Sequence, residues 1–256
     1  MMFKYFRNYF IMNALLFGLG LALSSFNTSY PSFVVLGFIG KNILLSYFLL
    51  FITQKKEWIS TPRNDSISHS HFIFEIAKFS ITESWIYLLY YSNDDMNPSL
   101  TFELLHSISM HFIWKSFLYE TIFDFMYYWN HRSLHSFPFL YKHIHKTHHY
   151  HQKPTIKATF HESLMENILA NVLPSALAVF ILKYLFHIHV SSIEFCCLSV
   201  YKSFVEISGH CGKQLGSSSS FPQLIWLPKL LGTFNISPSS PMPSFPLYVR
   251  RHRALC

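Results

Sequence analysis

Eight of the chain's 16 histidines fall between His131 and His161. His131 and His135 stand in HRSLH, and His145, His148 and His149 stand in HKTHH. On a helix, residues three and four apart share a face, so each group can aim its imidazoles at one place. Imidazole is a ligand for iron and for zinc. A structural zinc ion takes four ligands and often uses cysteine, so five imidazoles in this spacing point to two metal ions. HxxxH alone is common on helices. HxxxH followed closely by HxxHH is specific. The competing readings are a histidine-rich polar surface and a closed zinc site. His161 in FHESLMEN and His210 in SGHCGK extend the set.

The elements that must hold these side chains are apolar. Half of the 256 residues are hydrophobic, 18% are aromatic and 13% are charged, against about 25% charged in soluble domains. This composition predicts a membrane protein. The net charge is +7, but the positive residues are scattered or flank apolar runs. They read as topology signals, and no nucleic acid partner is expected. Of the four cysteines none stands in CxxC; adjacent Cys196 and Cys197 read as packed thiols. Lys4 and Arg7 precede an apolar run without a cleavage site, so a retained anchor is expected rather than a signal peptide.

Apolar runs cover residues 9–25, 32–52, 71–91, 102–129, 167–186 and 193–207. Lys41 interrupts the second and needs a partner or a route to the interface. Residues 57–70 read as a linker. SNDDMNPS at 92–99 is a turn rich in Asn, Asp and Pro. Basic residues at both ends of the first pair predict a hairpin with both ends cytosolic. Each later pair returns the chain to the same face. The expected fold is an all-α membrane protein of transmembrane helical hairpins, four to six spans, with a cytosolic histidine-rich cap. The expected organisation is membrane hairpins and linker at 1–123, a histidine-box region with a third hairpin at 124–232, and a divergent, disordered tail at 233–256. A metal transporter would place its histidines along the spans; here they lie at a span end and beyond it.

The segments DFMYYWNHRSLH, LYKHIHKTHH, FHESLMEN, SGHCGK and IWLPKLLG resemble the fatty acid hydroxylase/sterol desaturase superfamily of membrane di-iron enzymes, from about Asp124 to Gly232. His131 and His135 match its first box, and His145, His148 and His149 its second. His210 matches a histidine that precedes the last box. His161 falls where the family often has histidine and is a weaker metal candidate. The resemblance implies a di-iron centre (partly occupied or replaced by zinc in some preparations) that uses dioxygen to hydroxylate or desaturate an unactivated C–H bond of a lipid, such as a fatty acyl chain or sterol. It implies a multi-pass protein of the endoplasmic reticulum with cytosolic boxes. Electrons would come from a cytochrome b5-type protein or a reductase, because the chain carries no haem motif. Glu120, Asp124, Glu162 and Glu166 are candidates to hold the second ring nitrogen of the ligands.

The family's third box, another HxxHH, has no counterpart after Gly232. Four prolines fall between Pro238 and Pro246, which is incompatible with a ligand helix, and His252 stands alone among arginines. An altered reading frame, a retained intron or an alternative end would account for this tail. The alternative reading is therefore a non-catalytic membrane scaffold, or a truncated isoform that keeps a partial metal site. His143 and His151 read as surface residues, and His69, His71, His106, His111, His187 and His189 as interfacial or core residues.

Overall fold

The computed structural model describes residues 2–25, 30–55, 67–91, 102–148 and 155–213. The predicted tail at 233–256, the expected ligand His149 and the IWLPKLLG segment lie outside them. The described chain is helical, with no extended strand among the described residues. The long helices are α1 (Met2–Ser24), α2 (Pro31–Thr53), α3 (His69–Tyr91) and α4 (Phe102–Ser136), then α5 (Leu164–Leu185) and α6 (Ser192–Gly209). The expectation of an all-α fold is met.

Local chemistry sets the helix ends. Pro31 opens α2, where its missing N–H costs nothing. Ser163 caps α5 by accepting from the Glu166 N–H. Ser191 and Glu194 form a reciprocal capping box at the start of α6. Within α5, Pro174 has no N–H to donate to the preceding turn. That turn, Ile168–Val172, widens to a π-helix, which relieves the clash a proline causes in a regular helix.

The helices alternate in direction. α1 packs against α6, α2 against α3, and α4 against α5. Gly20 permits the first contact, because a Cβ there would lie 2.7 Å from the Cys197 Cα. At one end of the bundle the Tyr91 hydroxyl donates to the Val190 carbonyl, and Lys115 pairs with Glu194 at 2.9 Å. These bonds tie the end of α3 and the first half of α4 to the turn between α5 and α6. At the other end the Lys213 ammonium donates to the Thr53 carbonyl, joining the ends of α2 and α6. The end of α4, the start of α5 and the end of α6 meet there, at the end that carries the histidine boxes.

Lys41 finds the partner it needs. It pairs with Glu83 on α3 and donates to Ser199 and Ser203 on α6, at 2.7 and 2.9 Å. Asn42 donates to Glu83 and to Ser80. A buried charge in an apolar bundle is tolerated when it is paired and hydrogen-bonded in this way.

The outer faces are apolar. Phe33, Leu36, Leu44, Phe51, Phe74 and Trp85 all stand exposed on α2 and α3. Helices α2 and α5 are each long and apolar enough to cross a membrane, with a mean hydropathy of 1.9. Among the described residues these two helices are the candidate spans, where four to six spans were expected.

Candidate metal centre

The last turns of α4 carry His131 and His135 on one face, with ring centroids 4.8 Å apart. Pro138 then stops the helix. The residue before a proline is driven out of the helical region, and Phe137 is extended at φ −100°, ψ 113°. A short helix, Pro138–Leu140, restarts the chain and opens into a π-turn at Tyr141–His145. The reversal brings His145 back over the end of α4. Its ring lies 4.7 Å from that of His131 and 4.4 Å from that of His135.

The nitrogens converge as well as the rings. The Nε2 atoms of His131 and His135 are 3.2 Å apart, and those of His135 and His145 are 2.9 Å apart. Nitrogens bound at about 2 Å to one transition-metal ion sit about 3 Å from each other. The three imidazoles therefore already have the spacing of ligands on a single ion.

Surrounding groups fix them in place. His145 is completely buried, and its Nδ1 lies 2.6 Å from the Glu166 Oε1. Burial alone pulls the His145 pKa down to about 4, so at neutral pH the ring is uncharged. With Nδ1–H donated to Glu166, the lone pair is on Nε2 and faces the other two histidines. Tyr127 stacks on His131 at 5.4 Å between ring centroids. Ser163 donates to the Ile144 carbonyl, which holds the π-turn to the start of α5.

A second group adjoins the first. Ligand atoms of His148, Glu162 and Glu166 all lie within 4.8 Å of one another. The His148 ring stacks on His145 at 5.7 Å and meets His210 edge-on at 5.6 Å. His210 caps the end of α6, and its Nδ1 donates to the Glu206 carbonyl at 2.8 Å, which turns Nε2 away from the helix. Glu166 belongs to both groups, since its Oε1 also stands 4.0 Å from His148 Nδ1. Burial pushes the Glu162 carboxyl well above the usual range, helped by Glu206 and Glu166. A cation beside it would oppose that shift.

The structure thus brings together His131, His135, His145, His148 and His210, although His210 arrives through the α5–α6 hairpin from far along the chain. It does not bring His161 into this group. His161 faces Glu75 and His71 on α3 instead, because the segment 155–163 packs along that helix. Of the four predicted supporting carboxylates, Glu162 and Glu166 stand at the histidines. Glu120 and Asp124 face Lys202 on α6. His143 is exposed and donates to the Phe139 carbonyl; His151 is outside the described residues. Sequence reasoning missed the His71–Glu75–His161 grouping. Its only local trace is His71 and Glu75 four residues apart, and no spacing rule links them to His161.

Comparison with known protein families comes to the same region. The model of the fatty acid hydroxylase family matches residues 116–235. A relative described as putative Delta(7)-sterol-C5(6)-desaturase 2, from Arabidopsis thaliana, is 38% identical over 79 residues. That alignment takes in 29% of this chain and 27% of the relative, so the chain matches about a quarter of the relative's length. No solved structure matches. The boxes at His131–His135 and His145–His148 lie inside the matched residues, and this region of the chain is similar to the fatty acid hydroxylase/sterol desaturase superfamily.

Proposed function

We propose that this protein is a membrane-bound, iron-dependent oxidoreductase that hydroxylates or desaturates a C–H bond of a lipid, a fatty acyl chain or a sterol, with dioxygen as oxidant. The observation that carries this reading is the convergence of the His131, His135 and His145 Nε2 atoms, with Glu166 holding the opposite nitrogen of His145.

His131, His135 and His145 would hold one ion. His148, His149 and His210, with Glu162 and Glu166, would supply ligands for a second; zinc could fill either place in part. The donor set fits iron: neutral imidazoles bind it without cancelling its charge, and a buried carboxylate steadies them. Bound iron would supply the oxidising power for cleaving an unactivated C–H bond, which no amino-acid side chain has.

The remaining work falls to the chain. Glu166 sets the tautomer of His145 and stands between the two groups, 4.0 Å from His148 Nδ1. Tyr127 locks the His131 ring by stacking. Full burial fixes His145 on the inner side of the first group, while His131 and His135 are partly exposed. The apolar outer faces of α2 and α3 suit a lipid surround, and we read α1, α3, α4 and α6 as joining α2 and α5 in a multi-pass bundle of four to six spans. The histidine end would then face the cytosol from the endoplasmic reticulum membrane, within reach of a cytochrome b5-type donor or reductase.

The sequence after Gly232 favours a second reading, in which the lack of an HxxHH box leaves a scaffold with a partial metal site. One experiment addresses both. The full chain, purified in nanodiscs, is assayed for iron by mass spectrometry and for oxidised lipid after supply of a reductant and isotopically labelled dioxygen. Iron together with label in a lipid product supports the enzyme, and metal without product supports the scaffold. If wild type and His145→Ala hold equally little metal, both readings are wrong.

A further inference from the structure

We propose that His71, Glu75 and His161 form a separate metal site that binds zinc, distinct from the histidine boxes and sharing no ligand with them. His71 and Glu75 project from the first turns of α3, one turn apart on the same face. His161 comes from the segment between the second box and α5. His71 Nε2 lies 3.4 Å from the Glu75 Oε1, and His161 Nδ1 lies 3.5 Å from the same oxygen. The two rings meet edge-on at 5.6 Å. One ligand atom from each residue lies within 4.8 Å of the other two.

The distances suit ligands on one ion. Charge-assisted hydrogen bonds to a carboxylate run at about 2.7–2.9 Å. Two ligands on a tetrahedral zinc ion, each at about 2.0–2.1 Å, stand about 3.3 Å apart. Both observed separations match the second value. Two histidines and a glutamate are also a recurrent zinc donor set, with the fourth position left to water or another ligand.

The surroundings meet the other requirements of a site. Glu75 is held by its second oxygen, which pairs with the Lys78 ammonium, so Oε1 remains aimed at the imidazoles. Lys78 also donates to the Glu162 carbonyl at 2.6 Å, fastening the segment that bears His161 to α3. The Glu75 side chain is 7% exposed, that of His161 20% and that of His71 45%. The site is thus anchored on the inside and open on the His71 side, which gives an ion a way in. Adjacent residues serve different groups: His161 turns to this site and Glu162 to the His148 group. Zinc here would staple α3 to the backbone that presents Glu162.

The test uses the full chain in nanodiscs, stripped with a chelator and titrated with Zn²⁺ alone, then with Co²⁺ while its visible absorption is followed. Wild type should take up one more zinc equivalent than His71→Ala, and that variant should lose the corresponding cobalt band. His161→Ala should behave alike. His71 is exposed, so its truncation leaves the fold in place even if His161→Ala does not fold. Iron content should be the same in His71→Ala and wild type. Conversely, His135→Ala should lower iron and keep this zinc equivalent, so a failure of the iron reading is told apart from a failure here. Identical zinc uptake and cobalt spectra in wild type and His71→Ala would overturn the proposal.

Discussion

His145 is fully buried, and the His71 side chain is 45% exposed, yet each belongs to a trio of ligand-type residues. The His145 trio is drawn from a single stretch, residues 131–145, folded back on itself. The His71 trio joins two segments, residues 71–75 and residue 161, far apart in the chain. In the first, His135 Nε2 stands 3.2 Å from His131 Nε2 and 2.9 Å from His145 Nε2, with the His145 ring fully buried. In the second, two nitrogens share one carboxylate oxygen beside solvent. The difference teaches that a compact, local ligand cluster can be enclosed by its own secondary structure. A dispersed one stays at the seam between elements and can act as a fastening.

The contrast breaks most sharply at His145. His145→Ala removes one converging nitrogen and leaves the buried Glu166 without its imidazole. Iron should be lost almost entirely, and lipid oxidation with it. Zinc uptake at His71 should be unchanged. Metal analysis of the purified variant checks both halves, and retention of iron would remove His145 from the ligand set.

A smaller effect is expected from Glu166→Gln. The amide keeps the size and can still accept from the His145 Nδ1–H through its oxygen. It removes the carboxylate that, with a metal bound to the ring, makes the imidazole a better donor. Loss of such a partner lowers metal affinity by about 10- to 100-fold. Competition with a chelator of known affinity measures the change, which should be far greater for iron than for zinc at the His71 trio.

One side of this contrast was legible in the sequence, and the reason is range. HxxxH and HxxHH are read within single turns, so the His131, His135, His145 and His148 grouping followed from spacing and from the family resemblance. The alternation of apolar runs was also readable, and it implied that His210 returns to the same end. Three things were not readable. Pro138 signals a break, but the direction of the chain after it depends on packing against α5. The partner of Lys41 could be required on physical grounds, yet Glu83 could not be named. His161 was a weaker metal candidate because the resemblance places a histidine there; that it stands beside His71 and Glu75 depends on how residues 155–163 lie along α3. Pairings between distant segments leave no periodic trace in a single chain.

The smallest predicted effect lies where the two regions join. Ser163 Oγ accepts from the Glu166 N–H at 3.1 Å and donates to the Ile144 carbonyl at 2.8 Å. It therefore caps α5, whose first turn carries Glu166, and pins the π-turn that carries His145. Replacing a capping serine by alanine costs about 1 kcal/mol of stability. For Ser163→Ala the cost should fall on both elements, since the Ile144 carbonyl also loses its donor. Thermal unfolding of the metal-free protein should drop by a few degrees. The more telling reading is metal affinity: the His145–Glu166 pair would be less well aligned, so iron should bind modestly more weakly, well short of the loss in Glu166→Gln. Ser163→Thr keeps a hydroxyl at the cap and should recover most of both effects. If Ser163→Ala lowers stability and leaves iron affinity untouched, the cap is structural only, and the alignment of His145 depends on Glu166 and burial alone.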